Sequence, residues 1–304
     1  MSAALLAAQA LPPSTPRPDS PELTQRLEDI RTIAGTDWAE TFDFLCASNA
    51  NRANRPDDPE LTPTRVFDNL AVVGRTGTAV WIVTTSAGLV LIDSGYEEQL
   101  ESVLLKGMAA LGLDPARVTH VIIAHGHADH VGGARYFQQH GSRVVMGEAD
   151  WPLAPTLTRD VTMGDGETLT VGDVAFTFVA VPGHTAGSMG VVFPVKDGPA
   201  THRAGLFGGS VLIPGFIADE GLRQYARSAD HWASVTLAMN VDVEIQNHPL
   251  YDGFATKLAR LPQRRPGQPH PFVVGSAGYQ RFVKVMSECA QVQLARRAGA
   301  PRTP

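Results

Sequence analysis

The densest group of metal-capable side chains in this 304-residue chain is His125-Gly126-His127-Ala128-Asp129-His130, which puts three imidazoles and one carboxylate within six residues. Imidazole nitrogen and carboxylate oxygen are donors that zinc takes, at about 2.0–2.2 Å. Residues two apart on an extended loop point the same way, so His125 and His127 can face one ion. Asp129 and His130 sit where the chain turns into the next helix. Two further histidines have comparable settings: His184 in Pro182-Gly183-His184-Thr185-Ala186-Gly187-Ser188, after the apolar run 176–181, and His248 in Asn247-His248-Pro249, after 241–246. Both follow strand-like segments, whose end loops can converge on one rim of a sandwich. The chemistry open to such a set is metal-assisted hydrolysis. His120, His140, His202, His231 and His270 have no such spacing and read as structural or surface residues.

The elements that must carry these residues are legible from periodicity. Val121-Ile122-Ile123-Ala124 is the end of a buried strand, 118–124, that delivers His125. Before it, 66–73, 79–85 and 88–93 are short and rich in Val, Ile and Trp, with glycine-bearing turns between them, as in an antiparallel meander. Helical spacing covers 97–111, closed by Gly112, and 131–140, closed by Gly141, with a strand at 143–146. The second half repeats this order: a hairpin of 167–171 and 174–181 around Gly172-Asp173, strands at 190–195 and 205–207, a helix at 222–239, a strand at 241–246, and helices at 252–261 and 276–297. Ahead of both blocks, Leu23, Leu27, Ile30, Ile33, Trp38, Phe42 and Leu45 have the spacing of one or two amphipathic helices. Two blocks of strands followed by helices predict an α/β fold, a four-layer αββα sandwich. The expected division is a tail or remnant export signal over 1–21, one domain with a helical extension over 22–299, and a tail over 300–304.

Composition narrows the function. Lys and Arg total 25 against 31 Asp and Glu, a formal charge of -6, so no basic face for a run of phosphates is implied and nucleic acid is a poor partner. No apolar run reaches the roughly 18 residues that cross a bilayer, so no integral membrane segment is expected. The expected partner is a small-molecule substrate. Residues 2–10 end in Ala8-Gln9-Ala10, the small-x-small form of a cleavage site, but no Lys or Arg precedes them. A periplasmic or secreted protein is one reading and a cytoplasmic one the alternative. Export would allow Cys46 and Cys289 to bridge the amino-terminal helices to the final helix, and a reducing compartment would leave two thiols. No nucleophile elbow, phosphate loop, dinucleotide fingerprint or metal-free carboxylate pair stands out.

His125-x-His127-x-Asp129-His130, then Gly183-His184-Thr185-x-Gly187, then His248 resemble, in that order, the metal-binding motifs of the metallo-β-lactamase superfamily; Leu91-Ile92-Asp93-Ser94-Gly95 is similar to its early Asp-bearing turn. The resemblance spans roughly 66–261. It implies two zinc ions, one on His125, His127 and His184 and the other on Asp129, His130 and His248, with Asp129 also orienting the attacking hydroxide. Gly209 stands where glyoxalase-type thioesterases and many nucleases of this fold carry a bridging Asp, and Ser210 where some lactamases carry a Cys ligand. This pattern is similar to the third lactamase subclass, with its all-His/Asp site. Leu212 replaces a second hydroxyl of that subclass, which makes Ser210 and Leu212 the candidate substrate contacts. A β-lactam is the first implied substrate, and a lactone such as an acyl-homoserine lactone the alternative. A mononuclear iron oxygenase and a metal-stabilised binding protein without turnover are the other readings. Trp38, Trp81, Trp151, Phe216 and Tyr225 are candidates to line a pocket, and loops 74–79 and 151–160 to overhang the metals.

Overall fold

A computed structural model describes residues 18–46, 58–212 and 217–298. The first sheet contains, in spatial and chain order, β1 (Thr64–Phe67), β2 (Leu70–Gly74), β3 (Ala79–Thr85), β4 (Gly88–Ile92), β5 (Val118–Ile122), β6 (Arg143–Gly147) and β7 (Val161–Met163). Pairing is antiparallel as far as β4 and parallel from there on. The second sheet contains β8 (Thr168–Val171), β9 (Val174–Ala180), β10 (Met189–Asp197), β11 (Ala200–Leu206) and β12 (Val243–Glu244), ordered β12-β11-β10-β9-β8.

The apolar runs are continuous because both faces of each sheet are covered. In β3, Trp81 and Val83 meet Phe176, Phe178, Val191 and Phe193 of the facing sheet. Val80 and Ile82 point the other way, onto Leu104, Met108 of α3 (Lys106–Ala110) and Phe137 of α5 (Ala134–Gln139). The outer face of the second sheet packs Val179 and Val192 against α6 (Asp219–Ala238) and α8 (Gly275–Ala298), through Tyr225, Trp232, Tyr279 and Phe282. The expected αββα order is therefore observed. Outside it, α1 (Pro21–Ala34) and α2 (Ala39–Cys46) lie on α8, where a Cys46–Cys289 disulfide joins α2 to α8. The first helix is capped by Ser20, and Asp19 pairs with Arg296 at 2.8 Å, so ordered contacts begin before residue 22.

Several expected elements differ in detail. The helix expected over 97–111 winds as a tight turn at Glu97–Gln99, a wide π turn at Leu100–Leu105 and only then as α3. The helix expected over 131–140 is two short ones, α4 (Ala128–Val131) and α5, divided at Gly132-Gly133. Close approach explains the glycine at this break: a Cβ on Gly132 would lie 2.1 Å from the Glu97 nitrogen. The tenth and eleventh strands extend further than the periodicity implied and form one hairpin, β12 is only two residues long, and β7 adds an unanticipated edge to the first sheet. The helix expected over 252–261 is α7 (Phe254–Arg260), which starts after Gly253 in the left-handed region, φ 73°. Residues 1–10 and Phe216 lie outside the described residues.

Candidate metal centre

The six proposed ligands follow strand ends, four of them in loops and two, Asp129 and His130, in α4. β5 runs into His125, β9 into the His184 turn and β12 into His248, and the parallel β4/β5 pair brings Asp93 beside the His125 loop. Among the described residues, two groups of three bring their ligand atoms within 4.8 Å of one another: His125, His127 and His184, and His125, His130 and His248. In the first, His184 Nε2 is 3.0 Å from His127 Nδ1. Asp129 joins the second, its Oδ2 lying 3.2 Å from His130 Nε2 and 3.8 Å from His248 Nε2, while the two imidazole nitrogens are 3.2 Å apart. A tetrahedral zinc with ligands near 2.05 Å requires its donor atoms roughly 3.3 Å apart. The donor spacing fits that ion.

The hydrogen bonds prepare the nitrogens for the same task. His184 Nδ1 donates to the Val211 carbonyl at 2.8 Å and His248 Nδ1 donates to the Gly77 carbonyl, which leaves each Nε2 with a free lone pair. His125 is buried, and neither of its ring nitrogens has a hydrogen-bond partner. An imidazole stripped of water on both nitrogens costs free energy unless another group engages it. A metal ion is such a group.

Charge follows burial and neighbours. Burial, reinforced by the surrounding imidazoles, holds His125 well below the usual histidine range, His184 near 3 and His248 near 4. Burial, only partly offset by Asp129, also lowers His127. These rings are neutral at pH 7, as ligands must be. His130 differs: burial would lower it, but the Asp93 charge and hydrogen bonds to Asp129 and Asp93 outweigh burial and push it up to about 10. Asp129 is held below the ordinary carboxylate range, since His130 and His248 together outweigh the opposing cost of burial. The Asp129–His130 pair thus calls for a cation between its donors, which a metal can supply in place of the proton.

The supporting residues were less visible in the chain. Asp93, at the left-handed φ of 63°, accepts from the Ala124 nitrogen at 2.8 Å, lies 2.7 Å from His130 Nδ1, and accepts from Asn247 Nδ2 at 3.0 Å. Its motif was recognisable, but its grip on His130 was not. Asp150 has no local sequence signal at all. Its carboxylate is buried and accepts from Gly126 N and Gly187 N, each at 2.7 Å, and from Thr185 Oγ1 at 2.6 Å, joining the two loops that carry His127 and His184.

Two expectations require correction. Ser210 is fully buried, its hydroxyl accepting from Tyr251 and its carbonyl from Tyr225 at 2.8 Å, so burial keeps it from a ligand at the rim. Leu212 is 1% exposed and packs in the apolar cluster under the second sheet, not at the rim. Trp38, Trp81, Trp151 and Tyr225 are likewise core residues. Of the two loops, the β2–β3 turn does reach the ligands, through Gly77 and Thr78. In the other, Leu153 is half exposed, and a Cβ on Gly126 would lie 2.9 Å from its Cβ. Gly209 has φ 69°, and a Cβ there would lie 2.6 Å from that of His184, so a bridging carboxylate has no room at this position.

Comparison with known proteins agrees with this geometry. A family model described as the metallo-beta-lactamase superfamily matches residues 73–198. A hydroxyacylglutathione hydrolase of Pseudomonas syringae is 40% identical over 72 residues, 23% of this chain and 26% of that protein. The lactamase-like protein adaB of Aspergillus niger is 25% identical over 237 residues, 75% of this chain and 67% of that protein. The matches to curated relatives thus run from about a quarter to two thirds of their length. Among solved structures, BJP-1, a subclass B3 metallo-β-lactamase of Bradyrhizobium japonicum, has TM-score 0.67 and 26% identity, covering 78% of this chain and 95% of that one. FEZ-1, a metallo-β-lactamase of Legionella gormanii, shares the fold with TM-score 0.69 at 21% identity, covering 81% and 100%. The two sheets, the ordered histidine motifs and these matches agree: residues 73–198 match the metallo-β-lactamase superfamily, and the fold is that of its solved members.

Proposed function

We infer that this protein is a metal-dependent hydrolase that opens a cyclic amide or ester, with one zinc on His125, His127 and His184 and a second on Asp129, His130 and His248. One observation carries the reading: two sets of three donor atoms stand side by side on a loop rim, at spacings that suit zinc. Three protein ligands per ion leave coordination positions for a substrate and water, as catalytic zinc requires. Zinc bound there would polarise a substrate carbonyl and lower the pKa of water towards neutrality. The chain's own residues do the rest. Asp129, its carboxylate held by Thr78, would orient the attacking group. Asp93 and Asp150 hold the ligand loops rigid, so little reorganisation opposes reaction.

The similarity to subclass B3 structures makes a β-lactam the first substrate to test. A second reading, a lactone, is favoured by one observation. Neither Ser210 nor Leu212 reaches the rim to meet a β-lactam carboxylate. The test is metal analysis of zinc-reconstituted protein followed by assays with nitrocefin, a carbapenem and an acyl-homoserine lactone. Turnover of nitrocefin or carbapenem supports the first substrate, turnover of lactone alone the second. Metal-loaded protein inert to all three supports the binding-protein reading.

A further inference from the structure

The turn between β2 and β3 reaches two of the six proposed ligands at once. The Gly77 carbonyl accepts the Nδ1 proton of His248, and Thr78 Oγ1, itself buried, donates to Asp129 Oδ2 at 3.3 Å. Directly after it, the Ala79 nitrogen donates to the Asn247 carbonyl at 2.8 Å, fastening the turn to the residue before His248. The turn is in its own right held from behind. Asp58 accepts from the Gly77 nitrogen and from Thr76 Oγ1 (3.1 Å) on one oxygen, and from Arg75 Nε (3.1 Å) on the other. A further backbone bond, Thr76 N to the Pro59 carbonyl at 3.0 Å, ties it to the same segment.

This arrangement does two things that an isolated hairpin would not. A carbonyl facing His248 Nδ1 selects the tautomer with its lone pair on Nε2, and a hydroxyl facing Asp129 fixes the rotation of the carboxylate. Asp129 leaves the first sheet and His248 the second, so their relative placement depends on contacts between distant segments. We propose that Asp58 and Thr78 are positioning residues for the second metal ion: Asp58 sets the Gly77 carbonyl that orients His248, and Thr78 sets the carboxylate of Asp129. The proposal rests on the assignment of Asp129, His130 and His248 to one ion.

Zinc titration and chelator competition on the full chain test it, with cobalt absorption as a second readout of each site. Wild type binds two ions. Thr78→Val and Asp58→Ala each weaken the second ion roughly 10- to 100-fold while the first keeps its wild-type affinity, the range usual for residues that support a metal ligand. Thr78→Ser, which keeps the hydroxyl, restores the second ion. If Asp58→Ala does not fold, Asp58→Asn, which retains an acceptor for the Gly77 N–H, and the Thr78 variants decide the matter. A two-ion wild type whose variants lose neither ion, or lose both alike, overturns the positioning role alone. A wild type that binds a single ion overturns the two-ion assignment as well.

Discussion

Asp150 Oδ2 accepts the Thr185 hydroxyl at 2.6 Å with neither residue carrying a proposed ligand atom, yet this contact joins the His127 loop to the His184 loop. The Gly126 and Gly187 nitrogens complete the junction at 2.7 Å each. Asp150→Ala leaves the Gly126 and Gly187 N–H groups without their partner, at about 1–3 kcal/mol for each group stranded, while Thr185 keeps Ser188 at 2.7 Å. The expected result is a loss of at least about 2 kcal/mol in urea unfolding and weaker zinc binding at His127 and His184, read by chelator competition. Wild-type values for both would show that the junction is dispensable.

His127→Ala should remove the first ion and nearly all turnover, because His127 Nδ1 is one of only three donors in its group. His140, exposed and bonded to the Tyr136 carbonyl at 2.7 Å, ends α5 and belongs to neither group of ligand atoms, and His140→Ala should leave metal content unchanged. Elemental analysis of the two variants makes the comparison. Equal zinc in both contradicts the assignment.

Leu212→Ser would create a donor for a substrate carboxylate if residue 212 faced the rim. Its burial in the apolar cluster implies another outcome: loss of about 2–5 kcal/mol of stability, as for deletion of a buried leucine side chain, with no selective gain on carboxylate-bearing β-lactams. Thermal unfolding and the ratio of kcat/KM for a β-lactam and a lactone provide the check. A stable variant that improves only on the β-lactam would return Leu212 to the site.

Arg264 and Asp197 form a two-pronged ion pair, both contacts at 2.7 Å, near the hairpin of β10 and β11. The hydrogen bonds from Arg264 hold the Asp197 carboxyl below its ordinary value of 3.8. A carboxyl lowered in the folded state stabilises it above the unfolded pKa and ceases to do so as pH falls through the folded one. Because the pair is partly exposed, the contribution is about 0.5–1 kcal/mol. Arg264→Ala should cost that much at pH 6 and progressively less below pH 3.8, measured by urea unfolding across this interval. A constant difference down to strong acid would assign the effect to packing.

The Cys46–Cys289 bridge spans 243 residues of sequence and pins α2 to α8. Thiol titration of unreduced, denatured protein should find no free thiol, and Cys289→Ser should cost about 2–4 kcal/mol. Because α2 also holds the loop after His248, through Thr41 Oγ1 to the Tyr251 carbonyl at 2.8 Å, reduction should loosen that loop as well. Faster hydrogen exchange there after reduction would show it.

What the sequence by itself determined was what short-range patterns encode. A strand buried on both faces must be apolar throughout, so 118–124 was legible as the element that delivers His125, and ligand spacing within one loop made His125, His127, Asp129 and His130 visible as a set. The layered fold followed from the order of such runs. What only the tertiary structure decided were relationships between segments distant in the chain, because a side chain's neighbour across a sandwich leaves no periodic trace. Asp150 is 35 residues from Thr185, and Asp93 is 154 from Asn247, yet each pair shares a hydrogen bond. The same limit applied to Ser210 and Leu212: position along the motif put them near the metals, whereas packing against Tyr251 and the core beneath the second sheet turned them inward. The need for glycine at 132 was hidden for a related reason, since helical periodicity does not register the backbone of Glu97 pressing against it.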